Sequence, residues 1–203
     1  RVLIVEDERA HAELIRRAFD DQGGGYDVSV VHRIDEAESQ VTRQPPDVVI
    51  SDLLLPDGKG TELIPTGKFG GAFPVVVMTS HGDEAVAVEA MKAGALDYIV
   101  KSEETFLNMP HVADRSIREW RHRRELHETR DRLELMSQVF VEAADPILIS
   151  DLYGCIIDAN RAATELYGWD EDELLGRSME VLVPDEVKTK AERLYKACLD
   201  GNE

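Results

Sequence analysis

Five short apolar runs, rich in Val and Ile, recur through the first hundred residues of the chain. The runs are Val2–Val5, Val28–Val31, Val48–Ile50, Val75–Met78 and Tyr98–Val100. They are continuous rather than alternating, which is typical of strands covered on both faces of a parallel sheet. The segments between them with helical periodicity are Ala10–Phe19, Ile34–Thr42 and Glu84–Ala93. The pattern predicts an α/β fold with a doubly wound, five-stranded parallel sheet.

Polar side chains follow the predicted strands at the points where they end. Ligands of such sheets bind outside the carboxyl ends of the strands, so these residues are the candidates for chemistry. They are Glu6, Asp7, Asp52, Thr79 and Lys101. Three carboxylates at one edge favour a hard divalent cation, Mg²⁺ or Mn²⁺. A metal ion beside a carboxylate, an ammonium group and a hydroxyl is suited to phosphoryl transfer.

Four segments in a fixed order resemble the receiver domain of two-component response regulators. They are VLIVEDE (Val2–Glu8), DVVISDLLLPDGKG (Asp47–Gly60), PVVVMTSHGDE (Pro74–Glu84) and AMKAGALDYIVKS (Ala90–Ser102). The resemblance covers residues 1–118 and implies a flavodoxin-like receiver domain. It also implies that Asp52 is the phosphoacceptor. Glu6 and Asp7 are implied to hold Mg²⁺ or Mn²⁺ together with Asp52 and the backbone carbonyl of Leu54.

The same resemblance implies roles for three further residues and for a partner. Thr79 matches the hydroxyl that senses the phosphoryl group, and Lys101 matches the lysine that pairs with it. Tyr98 matches the aromatic residue that changes rotamer together with Thr79 on activation. The implied phosphodonor is a cognate histidine kinase or a phosphotransfer protein.

Residues 112–140 contain neither Gly nor Pro and predict one long helix, a linker between two domains. A first apolar stripe, predicted to pack on the α/β domain, consists of Val112, Ala113, Ile117 and Trp120. A second stripe follows a spacing of 3-4-3-4 and consists of Leu126, Thr129, Leu133, Met136 and Phe140. This heptad spacing predicts a coiled-coil homodimer through residues 126–140. The alternative is an ordinary amphipathic helix that packs on the next domain.

Met136–Glu186 resembles the front half of a PAS sensor domain. The matching features are a hairpin from Ile147–Ser150 and Cys155–Asp158, a helix cap at Asn160, and a capping box at Asp170. A further helix is predicted over Lys188–Leu199. We expect residues 141–203 to be an incomplete PAS domain without an evident cofactor, and the chain to be a fragment of a longer protein.

Composition and motif spacing exclude several other classes of function. Acidic residues outnumber basic residues 41 to 23, for a net charge of −18, which disfavours nucleic-acid binding by general electrostatics. Two cysteines exclude a disulfide scaffold, and the sequence after His127 fails the HExxH zinc signature. No apolar run approaches the ~20 residues that span a bilayer. We therefore expect a cytoplasmic protein without a membrane segment.

These expectations combine into a phosphorylation-dependent signalling module. The order of receiver, helix and PAS domain resembles the N-terminal part of sensor histidine kinases. His122 and His127 lack the surroundings of a phosphorylated kinase histidine, so this chain is not expected to be an autonomous kinase. A response regulator with another C-terminal output, such as a cyclic-dinucleotide enzyme, is the first alternative. An aspartyl-phosphate phosphatase is the second, and Leu54 argues against it because it occupies the position of that class's second aspartate.

Overall fold

The computed structural model describes residues 1–23, 25–65, 72–80 and 84–183. The chain forms two compact units, which divide between Glu128 and Thr129. The helix predicted over Lys188–Leu199 lies outside the described residues. Each unit is described separately.

The first unit alternates strands with helices, as the apolar runs predict. Its elements in chain order are β1 (Val2–Val5), α1 (Arg9–Asp21), β2 (Val28–Val31), α2 (Ile34–Arg43), β3 (Val48–Asp52), β4 (Leu54–Leu55), β5 (Gly58–Lys59), a 3₁₀ turn (Gly60–Leu63), β6 (Val75–Thr79), α3 (Glu84–Ala93), β7 (Asp97–Val100), α4 (Glu103–Leu107) and α5 (Met109–Glu142). Five of the strands form one parallel sheet in the order β2-β1-β3-β6-β7. The predicted doubly wound, five-stranded fold is therefore confirmed.

The continuous apolar runs are explained by two cores, one on each face of the sheet. Side chains alternate between the faces along each strand. On one face, strand residues such as Leu3 and Val49 pack with residues of α2 and α3. On the other face, Ile4 and Ile50 pack with residues of α1, α4 and α5. Because both faces are buried, neither needs polar residues, and the carboxyl ends of the strands are left as the place for polar chemistry.

Helix α5 is a single helix of 34 residues, longer at both ends than the predicted range of 112–140. Its first turns bury Met109, Val112, Ala113 and Ser116, and Ile117 packs against the same core, which confirms three of the four residues of the first apolar stripe as a packing surface. Polar contacts add to this packing, because the Tyr26 hydroxyl donates to Asp114 at 3.0 Å. Arg115 also pairs with Asp97. In the described part of the chain, no helix is both long enough and apolar enough to cross a membrane.

The second unit contains the predicted hairpin and short helices. Its further elements are β8 (Leu148–Ser150), β9 (Ile156–Ala159), α6 (Arg161–Tyr167), α7 (Glu171–Leu174) and a 3₁₀ turn (Met179–Leu182). Strands β8 and β9 pair in antiparallel fashion, and Ile156, Ala159, Ala163 and Leu174 form a small core beneath them.

Asn160 joins three segments of this second unit. Its Oδ1 accepts hydrogen bonds from the backbone N–H groups of Ile147 at 2.8 Å and Ala163 at 3.0 Å. Its Nδ2 donates to the backbone carbonyl of Asp145 at 2.9 Å. The predicted cap of α6 is confirmed, and the same side chain also fixes the segment between α5 and β8.

Gly60 allows the chain after β3 to fold back against the strand. Its N–H donates to the Leu53 carbonyl at 2.9 Å, and its φ is not in the left-handed region. A Cβ at this position would lie 2.1 Å from the Asp52 carbonyl oxygen and 2.4 Å from Ser51 Oγ. Both distances are far inside van der Waals contact, and the first involves backbone, so a glycine is required for space rather than for backbone conformation.

Gly60→Ala is expected to lower the free energy of unfolding by ~2–3 kcal/mol, in the upper part of the range for overpacking, because the added Cβ forces the backbone of Asp52 to move. Gly23→Ala is the matched control, since Gly23 has a φ of 82° but a Cβ added there would meet no atom within 4 Å. That variant should cost ~1 kcal/mol through backbone strain alone. Denaturant unfolding of both variants measures the difference. Equal or smaller destabilisation at Gly60 would contradict the close approach.

Candidate functional site

Three carboxylates meet at the carboxyl edge of the sheet, where the strand order predicts them. Glu6 and Asp7 directly follow β1, and Asp52 is the last residue of the neighbouring strand β3. One carboxylate oxygen of each residue lies within 4.8 Å of those of the other two. Glu6 is fully buried, Asp52 is nearly so, and Asp7 is exposed. The sheet therefore holds two of these charges away from water and leaves the third facing solvent.

Lys101 lies between the two buried carboxylates. It follows β7, and its N–H donates to the Thr79 carbonyl at 2.8 Å, which fixes where the side chain starts. Its Nζ donates to Asp52 Oδ2 at 2.7 Å and to Glu6 Oε1 at 2.9 Å. Burial works to lower the pKa of Lys101, but the hydrogen bonds and charges of Asp52 and Glu6 outweigh it and raise that pKa. Lys101 is thus held as a cation.

Glu6 is not fully compensated by this lysine. Burial raises the pKa of Glu6, and the nearby Asp52 charge raises it further, although Lys101 acts in the opposite direction. Both Glu6 oxygens contact Lys101 Nζ, Oε1 at 2.9 Å and Oε2 at 2.7 Å, and Oε1 also accepts a hydrogen bond from the Glu8 N–H at 3.3 Å. Three carboxylates thus share one ammonium group.

The donor set at this edge fits a hard divalent cation. Mg²⁺ and Mn²⁺ prefer carboxylate oxygens, and one oxygen from each of Glu6, Asp7 and Asp52 lies within 4.8 Å of the other two. A dipositive ion would offset the excess negative charge that one lysine leaves. The residues that could hold it are Glu6, Asp7 and Asp52.

Thr79 and Tyr98 lie on the two strands beyond β3 in the sheet. Thr79 is the buried last residue of β6, and it pairs in register with Val100 of β7. Tyr98 lies two residues before Val100, pairs with Val77, and is half-buried against the core on the Leu3 face. Because residues two apart point to the same face, Thr79 and Tyr98 share that face of the sheet.

Leu54 lies two residues after Asp52 in the short strand β4. Strand β4 pairs with β5, so that Leu54 is opposite Lys59 in a two-stranded hairpin. The Leu54 side chain is 65% exposed, next to a nearly buried phosphoacceptor candidate. The role of its backbone carbonyl as a metal ligand stays a prediction.

Three residues near the site were missed in the sequence. His11 stacks on Phe106 with ring centroids 4.9 Å apart, and its Nδ1 lies 3.2 Å from Glu8 Oε2. His32 contacts the backbone carbonyl of Glu6, and Asp57 accepts a hydrogen bond from the backbone N–H of Ile34 at the start of α2. His32 could have been found, because it directly follows β2 and therefore belongs to the same edge of the sheet. Nothing in the local sequence indicates that Asp57 reaches α2.

The family comparisons agree with the fold. A model of the response regulator receiver domain matches residues 2–108, just over half of the chain. The chain therefore belongs to the response regulator receiver family. A model of the PAS fold matches residues 132–203. The predicted order of receiver, long helix and PAS region is confirmed. The homologues of the receiver domain are response regulators of two-component systems, and PAS is a sensor domain.

Two curated relatives illustrate this membership. The methanogenesis regulatory protein FilR1 of Methanothrix harundinacea is 34% identical over 124 residues, which are 59% of this chain and 28% of that protein. The KDP operon transcriptional regulatory protein KdpE of Escherichia coli is 37% identical over 100 residues, which are 49% of this chain and 44% of that protein. The chain thus spans less than half the length of either relative.

Two solved structures share the receiver fold. The beryllofluoride-activated NtrC4 receiver domain dimer is 29% identical with a TM-score of 0.51. The match covers 59% of this chain and 98% of the NtrC4 chain. The receiver domain of a putative Luxo repressor protein from Vibrio parahaemolyticus is 25% identical with a TM-score of 0.51. The match covers 62% of this chain and 95% of the Vibrio chain. Each solved domain therefore corresponds to the first unit.

Lys101→Met is expected to lower the free energy of unfolding by ~3–5 kcal/mol in buffer without divalent ions, because it leaves two buried carboxylates without their cation. The measurement is denaturant unfolding at a pH well above the carboxylate range, so that neither acid is protonated. Lys59→Met is the control, since its contact with Glu89 at 3.4 Å is exposed and should be worth less than ~1 kcal/mol. Similar costs for the two variants would contradict the bridging role of Lys101.

Proposed function

We propose that the chain is a phosphorylation-dependent signalling module in which Asp52 accepts a phosphoryl group from phosphohistidine. The observation that carries the proposal is the contact of 2.7 Å between Asp52 Oδ2 and Lys101 Nζ beside Glu6 and Asp7. This contact puts a nucleophilic carboxylate, a fixed cation and two candidate metal ligands at one edge of a receiver sheet. The donor is a cognate histidine kinase or a phosphotransfer protein.

The transfer follows from the positions of these groups. A carboxylate oxygen of Asp52 attacks the phosphorus atom, an O–P bond forms, and the P–N bond of the donor breaks. The bonding electron pair stays on the imidazole nitrogen of the donor. Lys101 stabilises negative charge on the transferring oxygens, since a preplaced cation needs no reorganisation during the reaction. Glu6, Asp7, Asp52 and the Leu54 carbonyl would hold Mg²⁺ or Mn²⁺, which would supply further charge neutralisation.

Thr79 and Tyr98 are the proposed switch. The Thr79 hydroxyl, at the end of the strand next to Asp52, is the group we expect to donate a hydrogen bond to the new phosphoryl group. A shift of Thr79 would change the space available to Tyr98, which shares its face of the sheet and is only half-buried. The support for this pairing is the register of β6 and β7.

The proposed signal passes from the receiver domain, residues 1–118, through the linker helix, residues 112–140, to the incomplete PAS domain, residues 141–203. A sensor histidine kinase is the parent protein we favour, because a sensor fold rather than a DNA-binding module follows the receiver. A response regulator with a cyclic-dinucleotide enzyme as output is the alternative. Sequencing of the complete reading frame separates them. An aspartyl-phosphate phosphatase is disfavoured, since Leu54 offers no acid at the required position.

Part of the second stripe of α5 is available for a homodimer. The side chains of Leu126, Leu133 and Met136 are all more than half exposed. Phe140 differs, because it is half-buried and lines a cavity of about 450 Å³ with Asn160. Burial of a Leu side chain contributes ~1.5–3 kcal/mol, against an association cost of ~4–15 kcal/mol. Three exposed positions on each of two chains therefore offset part of the association cost, and we propose that the PAS faces contribute further contacts to the parallel dimer.

Incubation with acetyl phosphate or a phosphohistidine protein should add one phosphoryl group to the parent chain only when Mg²⁺ is present. Asp52→Asn should abolish the modification, because an amide is not a comparable nucleophile. Asp21→Asn, a change at an exposed aspartate at the end of α1, should leave it intact. Intact-mass spectrometry gives the answer. A phosphoryl group on the Asp52→Asn chain would show that the acceptor is elsewhere.

Leu133→Asp should shift the chain from dimer to monomer in sedimentation velocity, since it places a charge in the apolar stripe. Leu135→Asp is the matched control, because Leu135 has the same 62% exposure but lies outside the heptad spacing. A parent chain that sediments only as monomer at tens of micromolar would refute the coiled coil. Equal effects of the two variants would refute the assigned stripe.

A further inference from the structure

The first turn of α2 is capped from a distance rather than by its own flanking residue. Arg33 precedes the helix, and its side chain makes no capping hydrogen bond. The backbone N–H of Ile34 instead donates to Asp57 Oδ1 at 3.0 Å, and that of Asp35 donates to Asp57 Oδ2 at 3.1 Å. Asp57 belongs to the turn between β4 and β5. One carboxylate therefore joins α2 to the hairpin that begins directly after Asp52.

Asp57 is well placed to hold this connection. Its side chain is only 15% exposed, and Arg33 lies 3.7 Å from it. The hydrogen bonds from the backbone of Ile34 and Asp35 lower the pKa of Asp57. Both carboxylate oxygens are used, so the position of the hairpin turn relative to the helix is set by two bonds rather than one.

The turn before α2 is also connected to the loop that carries Glu6. His32 Nδ1 lies 2.7 Å from the Glu6 carbonyl oxygen, so the ring donates there as the Nδ1–H tautomer. The backbone N–H of His32 is itself held by Glu36 Oε2 at 2.8 Å, and Glu6 N–H donates to the Val31 carbonyl at 3.1 Å. The turn at His32 thus contacts the segment that carries Glu6, and the start of α2 directly after it contacts the hairpin that follows Asp52.

We propose that His32 and Asp57 are positioning residues for the divalent ion. His32 holds the Glu6 loop, and Asp57 holds the β4–β5 hairpin, against the start of α2. We term this pair of residues the α2 bracket. This inference rests on the proposed metal site. Neither side chain belongs to the cluster of Glu6, Asp7 and Asp52, so both act through the backbone of segments that carry proposed ligands, the Leu54 carbonyl among them.

The physical reason lies in the demands of the ion. Mg²⁺ requires near-ideal octahedral geometry, so its affinity depends on oxygens that are already in place. Partners that orient ligands from outside the coordination sphere typically change metal affinity by ~10–100-fold. A local Ser or Asp at position 33 would cap α2 equally well, but only a residue of the hairpin can connect the helix to the segment after Asp52.

The test is a titration of the full chain with Mn²⁺, in which the free ion is followed by electron paramagnetic resonance. Asp57→Ala should weaken Mn²⁺ binding about tenfold or more. Asp57→Asn keeps an acceptor oxygen for the α2 amides but removes the charge, and it should recover most of the affinity. His32→Ala should also weaken binding, because the Glu6 carbonyl loses its donor.

A double variant separates positioning from stability. Arg33→Ser supplies a local cap for α2, so Arg33→Ser combined with Asp57→Ala should regain the unfolding midpoint of the parent chain without regaining its Mn²⁺ affinity. Arg33→Ser alone should bind Mn²⁺ as the parent does. Restored affinity in the double variant would overturn the bracket, as would an Asp57→Asn chain as weak as Asp57→Ala. A parent chain that binds no Mn²⁺ would overturn the metal site itself, which is a separate result.

Discussion

The buried contact of Lys101 with Glu6 and Asp52 is the interaction on which the rest of the site depends. Two carboxylates at the ends of adjacent strands are withdrawn from water, and each would be costly without a cation. The lysine follows the edge strand β7, so its position requires the complete order β1-β3-β6-β7. The sheet thus brings residues from separate strand ends into one charged cluster, and this cluster forms only in the complete fold.

The same cluster is incomplete as it stands, and this makes it chemically useful. Lys101 contacts two of the three clustered carboxylates, and the excess negative charge of the cluster favours a divalent metal ion. A site that satisfied every charge internally would have no reason to bind a divalent ion or a phosphoryl group. In the proposed function, this excess negative charge is the reason we expect a cation to bind before a dianionic phosphoryl donor approaches Asp52.

The strands and the polar residues at their ends were predictable because both follow from local patterns. Continuous Val and Ile runs indicated buried parallel strands, and the edge rule for such sheets brought Glu6, Asp52 and Lys101 together. The roles of these residues came from the resemblance to receivers. The two-residue strands β4 and β5 were not predicted, since they are too short for any periodicity, and the short helix α4 was missed for the same reason. Asp57 was missed because its partner lies 23 residues earlier in the chain.

The central claim is that Asp52 is the residue that becomes phosphorylated. It is tested most directly by treating the chain with Mg²⁺ and a phosphohistidine protein, reducing the acyl phosphate with borohydride, and mapping the peptides by mass spectrometry. Reduction converts a phosphorylated aspartate into homoserine. The account predicts homoserine at position 52 and at no other position. Homoserine at another aspartate, or a phosphoryl group found only on histidine, would contradict it.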